Sequence, residues 1–250
     1  MMGAVSLMSA HSGDAERFAQ TMPAPYASVF SAAEASEHFR IVQARGEKEA
    51  HIEIWRALRG GGAAICVVAD DRPGLLSLIM MAFDDHDLDV MSAQIFCRDR
   101  DDGAVEAVDL FWVRRIEQPS TLDDKVIAQV AITLSRLILE DEAPSKPAAH
   151  SATIPVGPSE TNRVYVDEMA LQKGESVLVV EAQDYPGLLF AITSELHRRG
   201  VEVVSSSIHT EGGIAQDRFC VTDEEGRALR GERLASIQLA VLAAVSGGSA

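Results

Sequence analysis

The sequence states one six-residue phrase twice. Asp71-Arg72-Pro73-Gly74-Leu75-Leu76 returns as Asp184-Tyr185-Pro186-Gly187-Leu188-Leu189. Each copy follows an apolar run (63–69, then 177–182, interrupted by Glu181) and precedes apolar residues at helical spacing. A Pro-Gly pair between a strand and a helix makes a tight corner. The offset of 113 from Asp71 to Asp184 also carries Ile79 onto Ile192, Phe83 onto Leu196, Leu88 onto Val201, Val90 onto Val203, Ser92 onto Ser205 and Ile95 onto Ile208. Past the next turn the offset drops to 108, so Asp109-Leu110-Phe111-Trp112-Val113 falls on Asp217-Arg218-Phe219-Cys220-Val221. The five-residue difference lies in a turn, where added length costs little. Such a chain is constrained to fold as two copies of one small module.

Each copy reads strand, helix, strand, strand, helix. In the first, 64–69 is a continuous apolar run, as a buried central strand requires. Leu75, Leu76, Ile79, Met80 and Phe83 line one helix face. Residues 89–97 and 105–113 form a hairpin about the charged turn 98–103, and 122–139 is a helix with Val126, Val130, Leu134 and Leu137 on its apolar side. In the second, 177–182, 201–209 and 215–221 are strands, with helices marked by Leu188, Leu189, Ile192 and Leu196 and by Leu234, Ile237, Val241 and Val245. A short strand precedes each copy, at 51–56 and 163–167. Ser31 and Glu34 stand at capping-box spacing before a helix over 31–43. Pro144, Pro147, Pro155 and Pro158 make 143–159 a linker.

The expected fold class is therefore α+β: two ferredoxin-like βαββαβ modules after an N-terminal helical segment. The expected domains are 1–46 (helical extension), 47–142 (first module), 143–161 (Pro-rich linker) and 162–250 (second module). Such a module wants a fourth strand, and 51–56 and 163–167 are the candidates. Whether each completes its own module, in permuted order, or exchanges into the other is left open. On the return strand Val108, Leu110 and Trp112 alternate with Asp109, Phe111 and Val113. Either facing leaves large apolar groups for a neighbour to cover, the sister module or a second chain.

The formal net charge of −16 disfavours a phosphate-backbone binder, so no nucleic-acid partner is expected. No segment approaches the ~20 apolar residues of a membrane span. The short apolar run 1–8 lacks the basic flank of a signal peptide. Cys66, Cys97 and Cys220 form no CxxC pair, and an odd set of thiols in strand-like runs fits a reducing cytoplasm. The histidines are scattered without ligand spacing, so no metal and no other cofactor is expected.

Together the apolar strand, the Asp-x-Pro-Gly-Leu-Leu corner, the amphipathic helix and the Asp-x-Phe-x-Val return strand resemble an ACT domain. Two in tandem with this linker resemble the C-terminal regulatory half of the bifunctional uridylyltransferase/uridylyl-removing family, which acts on the PII nitrogen-signalling protein. Met22-Pro23-Ala24-Pro25-Tyr26 resembles the segment that joins that family's hydrolase domain to its ACT pair. The family's catalytic motifs, a nucleotidyltransferase Gly-Ser with paired Asp and a metal-binding HD hydrolase, have no counterpart here. His86-Asp87 spells HD but reads as a solvated helix end.

The resemblance implies a sensor without the chemistry, and not an enzyme. Its implied effector is a small amino acid, glutamine in this family, held between modules. Its implied partner is a protein, either a separate catalytic chain or a PII-type protein. Physically, the first free amides of a helix can hold a carboxylate, here around Gly74 and Leu75 or Gly187 and Leu188. Asp70, Asp71 and Asp184 stand ready for an ammonium, and Ser92, Gln94, Ser205 and Ser207 for a side-chain amide. The candidate site thus comprises Asp70, Asp71, Arg72, Pro73, Gly74, Leu75, Leu76, Ser92 and Gln94, with Gln183, Asp184, Tyr185, Pro186, Gly187, Leu188, Leu189, Ser205 and Ser207. Competing roles are helix capping for Asp71 and Asp184 and hairpin register for Asp109 and Asp217. Because Tyr185 replaces Arg72, the two corners are expected to differ. The alternatives to a sensor are a ligand-independent homodimerisation module and a truncated remnant of the enzyme.

Overall fold

The computed structural model describes residues 13–116, 122–140 and 162–247. The readings on 1–8 and on the linker 143–159 lie outside those residues. The strands are β1 (Ala50–Ala57), β2 (Ala63–Asp70), β3 (Leu88–Asp99), β4 (Val105–Arg115), β5 (Arg163–Val166), β6 (Ser176–Gln183), β7 (Val201–Glu211) and β8 (Ile214–Asp223). The helices are α1 (13–21), α2 (Ala24–Val29), α3 (Ala32–Arg45), α4 (Leu75–Asp84), α5 (Asp124–Leu139), α6 (Glu168–Gln172), α7 (Leu188–Arg198) and α8 (Gly231–Val245).

All eight strands join in one antiparallel sheet, in the order β1-β2-β4-β3-β7-β8-β6-β5. Each half is ferredoxin-like with its edge strand supplied from the N-terminal side. β1 lies on β2 (Ala50 opposite Ala69), and β5 lies on β6 (Val164 opposite Val180). The permuted alternative is the one found, and strand exchange is not. For β1 the reason is local: its turn closes with Leu58 N–H on Gly62 C=O at 2.9 Å, and short loop closure costs little entropy. The halves meet edge to edge, where β3 pairs with β7 from Ser92 opposite His209 to Phe96 opposite Ser205.

α4 packs on α5, α7 on α8, and α4 on α7 across the junction. The sequence pattern predicts one buried stripe on α4, but all ten of its residues are buried. Sheet, α5 and α7 enclose it, and Leu-Leu-Ser-Leu-Ile-Met-Met-Ala-Phe-Asp offers no polar face to expose. The core runs through both halves, from Ile65, Phe83 and Phe111 to Leu178, Ile192 and Phe219.

The opposite sheet face corrects an expectation. Val108 and Leu110, with Cys66, Val68 and Phe96, are covered by Phe18, Met22, Tyr26, Phe30, Ile41 and Val42 of the N-terminal segment. Trp112 stacks on Phe30 at 6.3 Å, and the Tyr26 hydroxyl meets His38 Nδ1 at 2.7 Å. The cover is thus neither the sister module nor a second chain. The segment is held by the expected Ser31–Glu34 capping box and by Arg45, whose guanidinium reaches Asp70 at 2.7 Å and Glu106 at 3.1 Å. In the second half the positions of Val108, Leu110 and Trp112 hold Gln216, Arg218 and Cys220, so that face needs less cover. There α6 shields only a small cluster of Ala170, Val177 and Val179.

Candidate functional site

The two corners adopt one geometry. Gly74 (φ +76°) and Gly187 (φ +89°) each occupy the left-handed region immediately before a helix. Neither helix has a side-chain cap, so Asp71 and Asp184 are not caps. Instead each Asp carboxylate faces the next backbone amide, Asp71 with the Cys97 thiol beside it and Asp184 with the Thr210 hydroxyl. Leu75 N–H bonds Arg72 C=O at 3.1 Å, so the amides left without an acceptor among the described residues are those of Leu76 and Ser77, one step further into the helix than expected.

Each corner opens into a cleft that the other half completes. The first is walled by Asp71 through Ser77 of its own module and by Thr193, His197, Val201, Glu202 and Val203 of the sister. The second is walled by Asp184, Tyr185 and Gly187 through Phe190, and by Met80, Asp84, Leu88, Asp89 and Val90. These two sister sets match one another at the repeat's offset of 113. The clefts are therefore related by the same pseudo-twofold that pairs β3 with β7.

In the first cleft, Glu202 crosses from β7 and its carboxylate faces the Gly74 amide. Burial pushes its carboxyl above the ordinary range, with partial relief from His197 and from the Gly74 amide. Burial likewise raises Asp71. The His197 ring lies against Gly74, within 3 Å of where a Cβ would stand, and its buried Nδ1 has no partner among the described residues. Asp109 forms the floor, 2% exposed, and accepts the Phe96 N–H at 3.2 Å. Its counterpart Asp217, 1% exposed, accepts the His209 N–H at 3.4 Å in the second cleft. Burial drives Asp109 well above the carboxylate range and Asp217 up to about 7.

Of the residues expected from sequence, Asp71, Arg72, Pro73, Gly74, Leu75 and Leu76 line the first cleft, and Asp184, Tyr185, Gly187, Leu188 and Leu189 the second. Others are engaged elsewhere. Asp70 pairs with Arg45 and Arg100, and the Gln183 amide bonds the Asn162 side chain. Ser92 Oγ donates to Ile208 C=O at 2.7 Å and Gln94 Nε2 to Ser207 Oγ at 3.0 Å, which ties the halves together. Ser205 sits opposite Phe96 in the same seam, and neither it nor Pro186 lines a cleft. Glu202 and His197 were missed, although the repeat aligns them with Asp89 and Asp84. Asp109 and Asp217 do hold the hairpins, but they also form the cleft floors. His86 bonds Thr133 Oγ1 at 2.8 Å. Among the described residues no three His, Cys, Asp or Glu side chains gather as a metal site.

Residues 176–238 match one protein family along their length. They are an ACT domain. The first half repeats the same strand order, helix placement and corner. Over 243 residues the chain is 32% identical to the bifunctional uridylyltransferase/uridylyl-removing enzyme of Phenylobacterium zucineum, covering 93% of this chain and 24% of that protein. The corresponding enzyme of Rhodospirillum rubrum is 31% identical over 73% of this chain and 19% of its own length, and that of Streptomyces coelicolor 30% over 70% and 21%. The chain thus spans a quarter or less of the curated relatives it matches. An unknown protein from Galdieria sulphuraria aligns with 74% of this chain and 90% of its own at 18% identity, with a TM-score of 0.23 that carries no argument. Among the described residues no helix is long and apolar enough to cross a membrane.

The two corners predict different responses to substitution. Gly187→Ala meets open space and costs only the left-handed backbone, about 1–2 kcal/mol. Gly74→Ala adds a clash with the His197 ring and must push it out of the cleft. Urea melts are expected to rank Gly74→Ala as the more destabilised, and equal losses would contradict the close approach of His197.

Proposed function

We propose that this chain is a regulatory ACT pair, with domains at 47–142 and 162–250, that senses a small amino acid in the first cleft and signals through a protein partner. Its carrying observation is the cleft itself, about 480 Å³, which neither half can form alone. A zwitterion suits its two ends. The carboxylate meets the amides of Leu76 and Ser77 at the positive end of α4. The ammonium meets Asp71 and Glu202, two acids whose carboxyls stand above the ordinary range and which gain from a cation. Because the walls come from both domains, binding favours one relative placement of the halves, which is the differential affinity a sensor needs. The resemblance to uridylyltransferase regulatory regions makes glutamine the first effector to try and a catalytic chain or PII-type protein the first partner. In this reading the chain itself is not catalytic.

Isothermal titration with glutamine, glutamate and a panel of other amino acids tests the reading. Binding is expected for at least one, together with a rise in melting temperature. Saturation at 100 times Kd stabilises by about 2.7 kcal/mol. No heat and no shift with any amino acid would sink it and favour the ligand-independent interaction module.

A further inference from the structure

The two clefts share a design but not a volume: the first is about 480 Å³, the second about 40 Å³, room for about one water. We propose that the second corner is occupied by the chain's own Tyr185 and Phe190, so that the protein takes one amino acid per chain, at the first corner. The stoichiometry rests on the sensing function proposed above; the self-occupation does not.

Three pairs of equivalent positions account for the difference. At the first corner Arg72 turns outward, and its guanidinium donates to Ile138 C=O at the C-terminal end of α5 at 3.0 Å. At the second, Tyr185 packs against the main core, and its hydroxyl is buried with no hydrogen-bond partner among the described residues. That unsatisfied hydroxyl is costly, so the ring stays inside for its apolar burial and not for a polar bond. Ser77 of the first cleft becomes Phe190 in the second, and Thr193 on the sister wall becomes Met80. Each replacement puts a larger apolar group where the first cleft has space. The acids that would meet an ammonium differ as well. Asp89, the counterpart of Glu202, pairs with Arg114 at 2.7 Å, whereas Glu202 faces Thr222 on its neighbouring strand. The second corner thus lacks the volume, and of the two acids that would meet an ammonium only Asp184 is free of an ion pair among the described residues.

Two measurements on the full chain test this. In thermal melts Tyr185→Ala is expected to lower Tm by about 5 °C, as loss of a half-buried aromatic packed on the core does, while Tyr185→Phe leaves Tm unchanged or raises it. A Tyr185→Ala shift under about 2 °C would overturn the self-occupation whether or not any ligand binds. In titrations with glutamine, the wild type is expected to bind one per chain and the double variant Tyr185→Arg, Phe190→Ser two. Two sites in the wild type, or no second site in a folded double variant, would also overturn it. Absence of heat with glutamine and with every other amino acid of the panel refutes amino-acid sensing, and the melting measurement then still decides the self-occupation.

Discussion

A chain shortened to begin at residue 47 is expected to lose its cooperative thermal transition. The deletion strips Phe18, Met22, Tyr26, Phe30, Ile41 and Val42 from the sheet face of β2, β3 and β4, leaving Val68, Phe96, Val108 and Leu110 in water. At about 1.5–3 kcal/mol for each large buried side chain, the loss approaches the 5–15 kcal/mol that holds a whole domain together. It also takes one of two arginine partners from Glu106, which is 4% exposed and keeps Arg98 once Arg45 is gone. Circular-dichroism melts and sedimentation velocity check it: a broad or absent transition with self-association is expected. An unchanged sharp melt of a monomer would show that the helices merely rest on the sheet. The milder Tyr26→Ala, at a residue 1% exposed, is expected to cost about 3–5 kcal/mol and to leave the His38 ring without its 2.7 Å partner.

Asp217→Asn is expected to stabilise the protein at pH 8 by clearly more than it does at pH 5. Burial raises the Asp217 carboxyl to about 7, so the native state favours its protonated form. A raised carboxyl contributes stability that is fully present below the unfolded value near 3.8 and is lost as pH rises through about 7. Between those limits the group withdraws up to about 4 kcal/mol, and asparagine, neutral throughout, does not. Asp109 shifts in the same direction by the same cause, so Asp109→Asn is expected to behave alike. The bulk charge of −16 adds its own pH dependence, so the variant is read against the wild type by urea denaturation at both pH values. Parallel profiles would mean that the buried aspartate stays charged, held by the His209 N–H alone.

Much of the fold was legible because the chain says it twice. The Asp-x-Pro-Gly-Leu-Leu corners, the hairpins and the flanking helices fall where the repeat puts them, and Ser31 with Glu34 announced the cap that forms at α3. The site was legible only in part. Asp71, Gly74, Asp184 and Gly187 carry a local signature, a turn that needs glycine at positive φ. Ser92, Gln94, Ser205 and Ser207 looked like ligand readers because polar strand residues beside a corner carry no mark of their partner. Their partner proved to be the opposite strand across the seam. Glu202 and His197 were missed because each serves the corner of the other half.

The module, its duplication and the conformation of each corner were written locally, since they follow from periodicity and from glycine, all within a few residues. How the modules meet came from long-range packing. Edge-to-edge pairing of β3 with β7 brings Glu202 onto the Gly74 amide, more than a hundred residues away in the chain. Long-range packing also decided which face the N-terminal helices cover and that Arg72 turns out while Tyr185 turns in. Those outcomes depend on which apolar surfaces compete for burial once the sheet exists, and no local pattern encodes that competition.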